Sequence, residues 1–195
     1  MVVALDEVGR GRERLAPVLT RPVHVKMKES FMAAFPLSGL HTRISCGIHF
    51  PQVSDIGFQW FTLSSLTYSS YVKQIAPSRT FCIYEEVDRM RKQGLIKGGS
   101  LENAIVCSAS KGWLNPPLRF INEPCRHKVL DAIGDLSLFA RRGNQGIPLA
   151  HIVSFKGGHS LHANFVRCLE TRLVENNIDF EEQSEPKVGF GSCVN

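Results

Sequence analysis

Long apolar runs are the first thing this 195-residue chain lacks. Stretches such as Ala104 to Cys107 fall far short of the ~20 residues that a membrane-spanning helix needs, which excludes such a helix. The N-terminal stretch to Leu19 has no compact apolar segment followed by small residues. It carries Asp6, Glu7 and Glu13 among its arginines, so it reads neither as a secretory signal nor as a clear organellar presequence. The six cysteines, at 46, 82, 107, 125, 168 and 193, are widely and irregularly spaced with no CxxC pair. A chain of this length builds a core without disulfides, so reduced and mostly buried thiols are expected. Nor is there a basic stripe: the net charge of +5 is scattered, apart from short groups such as Arg89 to Lys92 and Arg141-Arg142. No nucleic-acid-binding module is visible, and nucleic acid is not an expected partner. Internal repeats and low-complexity segments are also absent.

What remains, at 43% hydrophobic, is the content of one globular domain. Residues 1–20 mix Gly9, Gly11 and Pro17 with charges and read as a tail or linker. From Pro22 the pattern alternates with period two through Val23, Val25 and Met27, Phe31 to Phe35, Thr42 to Phe50, and Phe58 to Leu63. Proline and glycine punctuate it, as in half-buried antiparallel strands. Ser78 to Ile83 is a further short strand. Val87 and Met90 sit at helical spacing among charges between Tyr84 and Gln93, and Gly94 ends that helix. Gly98-Gly99-Ser100 is a turn and Asn103 to Cys107 an apolar strand, so 84–106 forms the helix and second strand of a small βαβ excursion that cannot bury its own apolar face. Lys111 to Pro117 reads as a loop.

Pro124 to Ala140 is the strongest helix, with Asn122 as its cap and Leu130, Ile133, Leu136 and Leu138 as its apolar positions. Ala150 to Phe155 is a strand, and His159 to Glu175 a second amphipathic helix after Gly157-Gly158. Residues 176–195 read as an acidic tail. Strands first and two long helices late give an α+β fold, an antiparallel sheet packed against two helices with a small βαβ insert.

Two constellations carry chemistry. His127 and Asp131 lie four apart on the strongest helix, so one face presents both, and Asp135 continues that face. An imidazole and a carboxylate at this spacing can share a zinc ion, although a surface ion pair is the commoner use of the pattern. Lys156-Gly157-Gly158-His159 places a histidine at a helix start behind two glycines, where it can serve as a general acid or oxyanion donor. A tight turn beside a solvated histidine is the simpler alternative.

Taken together, SRTFCIYEEVDRMRKQGLIKGGSLENAIV, RFINEPCRHKVLDAIGDLSL and SFKGGHSLH resemble the C-terminal domain of UDP-3-O-acyl-N-acetylglucosamine deacetylase, the zinc amidase of lipid A biosynthesis, over about residues 20 to 170. GGSLENAIVCSASKGWLNPPLRF is closer to its plant members. The resemblance implies Zn²⁺ ligation by His127 and Asp131, His159 as the catalytic histidine, and Asp135 as its acidic partner. It implies a place for Lys128 beside the substrate diphosphate. Thr80, Phe81, Ile83, Gly99 and Ser100 would belong to the sugar and acyl surface, within a domain spanning 21–175 whose insert at about 84–106 walls an acyl tunnel. It further implies a UDP-acyl-sugar substrate and, from the plant members, a mitochondrial location. The family's third zinc ligand, a histidine behind a general-base glutamate, has no counterpart among the other histidines here. Residues 1–20 are therefore expected to be the linker from an N-terminal domain, and a full-length homologue or N-terminal half is expected to supply the missing groups. The alternative is a non-catalytic acyl- or nucleotide-binding module, or a truncated product without activity.

Overall fold

The computed structural model describes residues 16–96, 101–138, 140 and 146–182, with side chains described as far as Thr171. Five strands form the main sheet: β1 (Val23–Met27), β2 (Ser30–Pro36), β3 (Arg43–Phe50), β4 (Gly57–Leu63) and β8 (Ala150–Phe155), in the order β1-β2-β8-β3-β4. Three of its four pairings are antiparallel, as the alternation predicts, but β3 and β8 run parallel, so the sheet is mixed. Strand alternation cannot reveal this. The direction of β8 is set by its arrival from a helix more than 80 residues after β3 rather than from a hairpin.

The second sheet, β5 (Thr80–Ile83), β6 (Ala104–Ser108) and β7 (Gly112–Trp113), has β5 and β6 parallel with helix α2 (Tyr84–Lys92) between them. This is the expected βαβ unit, extended by β7, a strand inside what reads as a loop. Helix α1 (Tyr68–Gln74) also has no forecast in the hydrophobic pattern, because it buries none of its residues. It is held instead by a reciprocal cap: Thr67 Oγ1 accepts from the Ser70 amide, and Ser70 Oγ from the Thr67 amide.

Helices α3 (Glu123–Ser137) and α4 (His159–Glu182) pack on one face of the main sheet, α3 over β3 and β4 and α4 over β1 and β2. Helix α4 continues beyond the Glu175 end read from its sequence. The buried side of α3 is Cys125, Val129, Ala132 and Leu136, while Leu138 is exposed. Cys125, Val129 and Ala132 share the 3.6-residue phase of Leu136 and take core positions with it, whereas Leu130 and Ile133 are only partly buried. The four buried residues meet Leu161, Phe165 and Leu169 of α4 and Met32, Ala34, Ile44, Cys46 and Ile152 of the sheet. Asn122 stands at the cap position without capping: its side-chain oxygen accepts from Arg126 Nε at 2.7 Å. Leu19 is buried in the core and the Pro17 carbonyl accepts from the Leu149 amide, so residues 16–20, read as linker, lie against the body.

Candidate active site

The N-terminal end of α3 is fixed by a buried carboxylate. Glu123 is fully buried and accepts from Arg79 Nε at 2.9 Å, Arg79 Nη2 at 3.1 Å, and the backbone amides of Arg79 at 2.9 Å and Arg119 at 2.6 Å. Burial alone would raise its pKa; the guanidinium and the two amides outweigh burial and hold it below the ordinary glutamate value. This knot ties the start of β5 to the first turn of α3 and brings the Ser78 carbonyl to the next turn.

There, His127 Nδ1 lies 3.1 Å from the Ser78 carbonyl oxygen. A carbonyl only accepts, so Nδ1 carries a proton, and the neutral ring in that tautomer offers its Nε2 lone pair to a metal. Nε2 faces Asp131 Oδ1 at 3.3 Å, and Lys128 Nζ donates to the other oxygen, Oδ2, at 3.1 Å. Two ligands held about 2.0–2.1 Å from a tetrahedral ion stand roughly 3.3 Å apart, so the pair fits zinc as two of its ligands. Among the described residues, no third His, Cys, Asp or Glu joins His127 and Asp131 in a cluster able to hold a metal.

One turn along α3, Asp135 Oδ2 accepts from His159 Nδ1 and from His162 Nδ1, both at 2.7 Å. His159, at the start of α4, is 74% exposed, whereas His162 is 1% exposed. Burial holds the His162 pKa below the ordinary histidine value, against the opposing pull of Asp135. These three residues are the one trio among the described residues compact enough to hold a metal ion. The two hydrogen bonds to a single carboxylate oxygen already account for their approach. They leave His159 Nε2 free for proton transfer. Nothing in the sequence singles out His162 beyond its i, i+3 spacing from His159, which puts both rings on one helix face.

Gly157 makes this packing possible. A Cβ there would collide with Ser154 Oγ and stand 2.8 Å from His162 Nε2. Lys156 enters the turn with φ 51° and pairs with Glu29 at 2.7 Å.

His127, Lys128, Asp131 and His159 line one cleft of about 400 Å³ together with Phe50, Thr80, Phe81, Cys82, Ile83, Glu86, Val87 and Met90. The expected surface residues Thr80, Phe81 and Ile83 are thus brought to the candidate ligands. Gly99 and Ser100 lie outside the described residues. Phe50 and Phe81 meet edge to face at 5.5 Å, and Lys128 Nζ stands 5.8 Å from the Phe81 ring centre. The lining therefore combines titratable groups with apolar side chains such as Phe50, Phe81, Val87 and Met90, as an amphipathic ligand requires.

A profile of the UDP-3-O-acyl N-acetylglycosamine deacetylase family matches residues 2–171. A relative from Arabidopsis thaliana, named probable UDP-3-O-acyl-N-acetylglucosamine deacetylase 1, mitochondrial, is 59% identical over 166 residues, 85% of this chain and 50% of the relative. UDP-3-O-acyl-N-acetylglucosamine deacetylases from Thermosynechococcus vestitus and Synechocystis are 47% and 45% identical, over 83% and 77% of this chain and 52% and 51% of their own lengths. The chain spans about half the length of these curated relatives. By the extent of the match and the identities, it belongs to the UDP-3-O-acyl N-acetylglycosamine deacetylase family.

Proposed function

We propose that this chain carries the acid-bearing half of a zinc-dependent deacetylase site, acting on the N-acetyl group of a UDP-3-O-acyl-N-acetylglucosamine in lipid A synthesis. The observation that carries the reading is the convergence of His127, Asp131 and the Asp135-linked His159 on one half-apolar cleft. His127 Nε2 and Asp131 Oδ1 would hold the ion. When bound, zinc supplies Lewis acidity toward an amide carbonyl and toward water. Ser78 holds the His127 ring in its ligating tautomer, and Lys128 orients the Asp131 carboxylate while presenting positive charge to an anionic substrate. His159 passes a proton from Nε2 to the departing amine, and Asp135 stabilises the imidazolium form through Nδ1–H. The Phe50, Phe81 and Val87 wall receives the acyl chain. A third ligand and a general base come from the other half of the full-length architecture, supplied by a homologous partner or N-terminal half. The names of the Arabidopsis relatives support a mitochondrial location.

The test is zinc titration by calorimetry with a deacetylation assay, on this chain alone and with the N-terminal half of a full-length relative added. Weak zinc binding and negligible turnover alone, with both restored by the added half, are expected. His127→Ala must abolish the restoration. Tight zinc binding that survives His127→Ala but not His162→Ala would move the metal to the Asp135 cluster and overturn the assignment.

A further inference from the structure

The face of the main sheet turned away from α3 and α4 is aromatic and basic. Strand alternation directs Phe31 and Phe35 of β2, Phe58 and Trp60 of β4, and Phe155 of β8 to this side. The first four are 37%, 45%, 61% and 41% exposed. Four of these rings form a connected patch: Trp60 stacks on Phe155 at 5.9 Å, and Phe31 and Phe58 lean on Phe155 at 6.0 and 6.2 Å. Gly47 lies beneath them, and a Cβ there would run into both Trp60 and Phe155. The rim holds Lys26, Arg43, His24 and His49, all exposed. The five strands contain no aspartate or glutamate. Glu29 in the β1–β2 turn is paired with Lys156, and Asp55 stands in the turn between β3 and β4. Nothing among the described residues covers this face.

A solvated sheet face normally alternates polar residues outward. Here one half of the outward face is ringed by aromatics, Ser45, Thr62 and His151 at the other end spend their polar atoms on one another, and cations stand at the border, so the surface calls for a partner that is apolar within and anionic at its boundary. We propose that this face docks on an anionic lipid surface, with the rings entering the headgroup layer and Lys26 and Arg43 meeting lipid phosphates. The charge pattern argues against a second copy of the chain, because a two-fold stack of this face on itself would set cations against cations with no carboxylate between them. The mutual packing of the rings argues against single-stranded nucleic acid, whose bases need ring faces open for stacking. The proposal does not depend on the deacetylase reading.

The experiment is co-sedimentation of the full chain with vesicles of phosphatidylcholine alone, or with roughly one-third phosphatidylglycerol. Binding is expected only to the anionic vesicles, at least about tenfold stronger than to neutral ones and suppressed by about 0.5 M NaCl. Phe58→Ser, at the most exposed ring, is expected to weaken it by about tenfold, while Ile121→Ser, at a 93% exposed position off this face, leaves it unchanged. Trp113→Phe leaves Trp60 as the chain's one tryptophan, so quenching by brominated acyl chains reads insertion without altering the patch. No quenching, or equal binding to neutral vesicles, overturns the proposal. So does a dimer in sedimentation equilibrium that Phe58→Ser dissociates, displacement from vesicles by an oligonucleotide, or burial of the face by an added N-terminal half.

Discussion

Gly157 shows how narrowly the site is built. Its missing Cβ leaves room for Ser154 and His162, both buried and neither free to retreat, whereas a Cβ on Gly158 meets nothing within 4 Å. Gly157→Ala is therefore expected to cost about 1–3 kcal/mol by overpacking, and Gly158→Ala much less, a contrast that urea unfolding of the two variants measures. His162 links this packing to pH. Its folded pKa lies below the ordinary value of 6.5, so the unfolded chain binds the proton more tightly. The stability it contributes is complete above that value and is lost as pH falls through the folded pKa. Unfolding free energy should therefore drop more between pH 7.5 and 5.5 in the native chain than in His162→Gln; equal drops would exclude the assignment. His159 behaves differently because it is open to the cleft. In a reconstituted enzyme His159→Ala should reduce turnover by about 10²–10⁴-fold, the usual contribution of a positioned acid, with zinc stoichiometry unchanged.

At the scale of elements, the junction of β5 with α3 decides where the candidate ligands stand. Glu123 gathers two guanidinium and two amide donors, and so ties the small sheet, the loop before α3 and the helix itself through a single group. Removing Glu123 leaves the half-buried Arg79 and two backbone amides without their acceptor, so Glu123→Ala should lose about 1–3 kcal/mol, read by chemical denaturation. The Ser78–His127 contact should loosen with it, visible as altered His127 ring resonances. Because Glu123 is held below its ordinary pKa of 4.5, its contribution is fully present above that value and disappears as pH falls through the lower folded pKa. In the sequence Glu123 is only a favourable first-turn acid, since its partners lie 4 and 44 residues away. Helix α3 itself was legible from its length and from proline near its start. Its cap was not, because Arg126 competes for the Asn122 oxygen.

At the scale of the whole molecule, the long helices, the main strands and the βαβ unit follow from local pattern, because their buried faces repeat with the periods that strands and helices impose. The parallel β3–β8 pair, the capped but unburied α1 and the two-residue β7 do not: the first depends on chain direction across about 100 residues, and the other two are too short or too exposed to repeat an apolar period. A full-length assembly is expected to bind one zinc per His127–Asp131 pair tightly and this chain alone weakly, since two protein ligands leave the ion dependent on water. Equilibrium dialysis with and without the second half distinguishes the two cases. By itself the sequence determined that an imidazole and two carboxylates share one helix face and that a histidine opens another helix, since 3.6-residue periodicity suffices for both. Only the tertiary structure decided that these faces meet across a single cleft and that His162 joins Asp135 behind His159. It also decided that Ser78 sets the His127 tautomer, because each of those contacts joins residues 24 to 49 positions apart, where packing rather than local spacing determines which atoms touch.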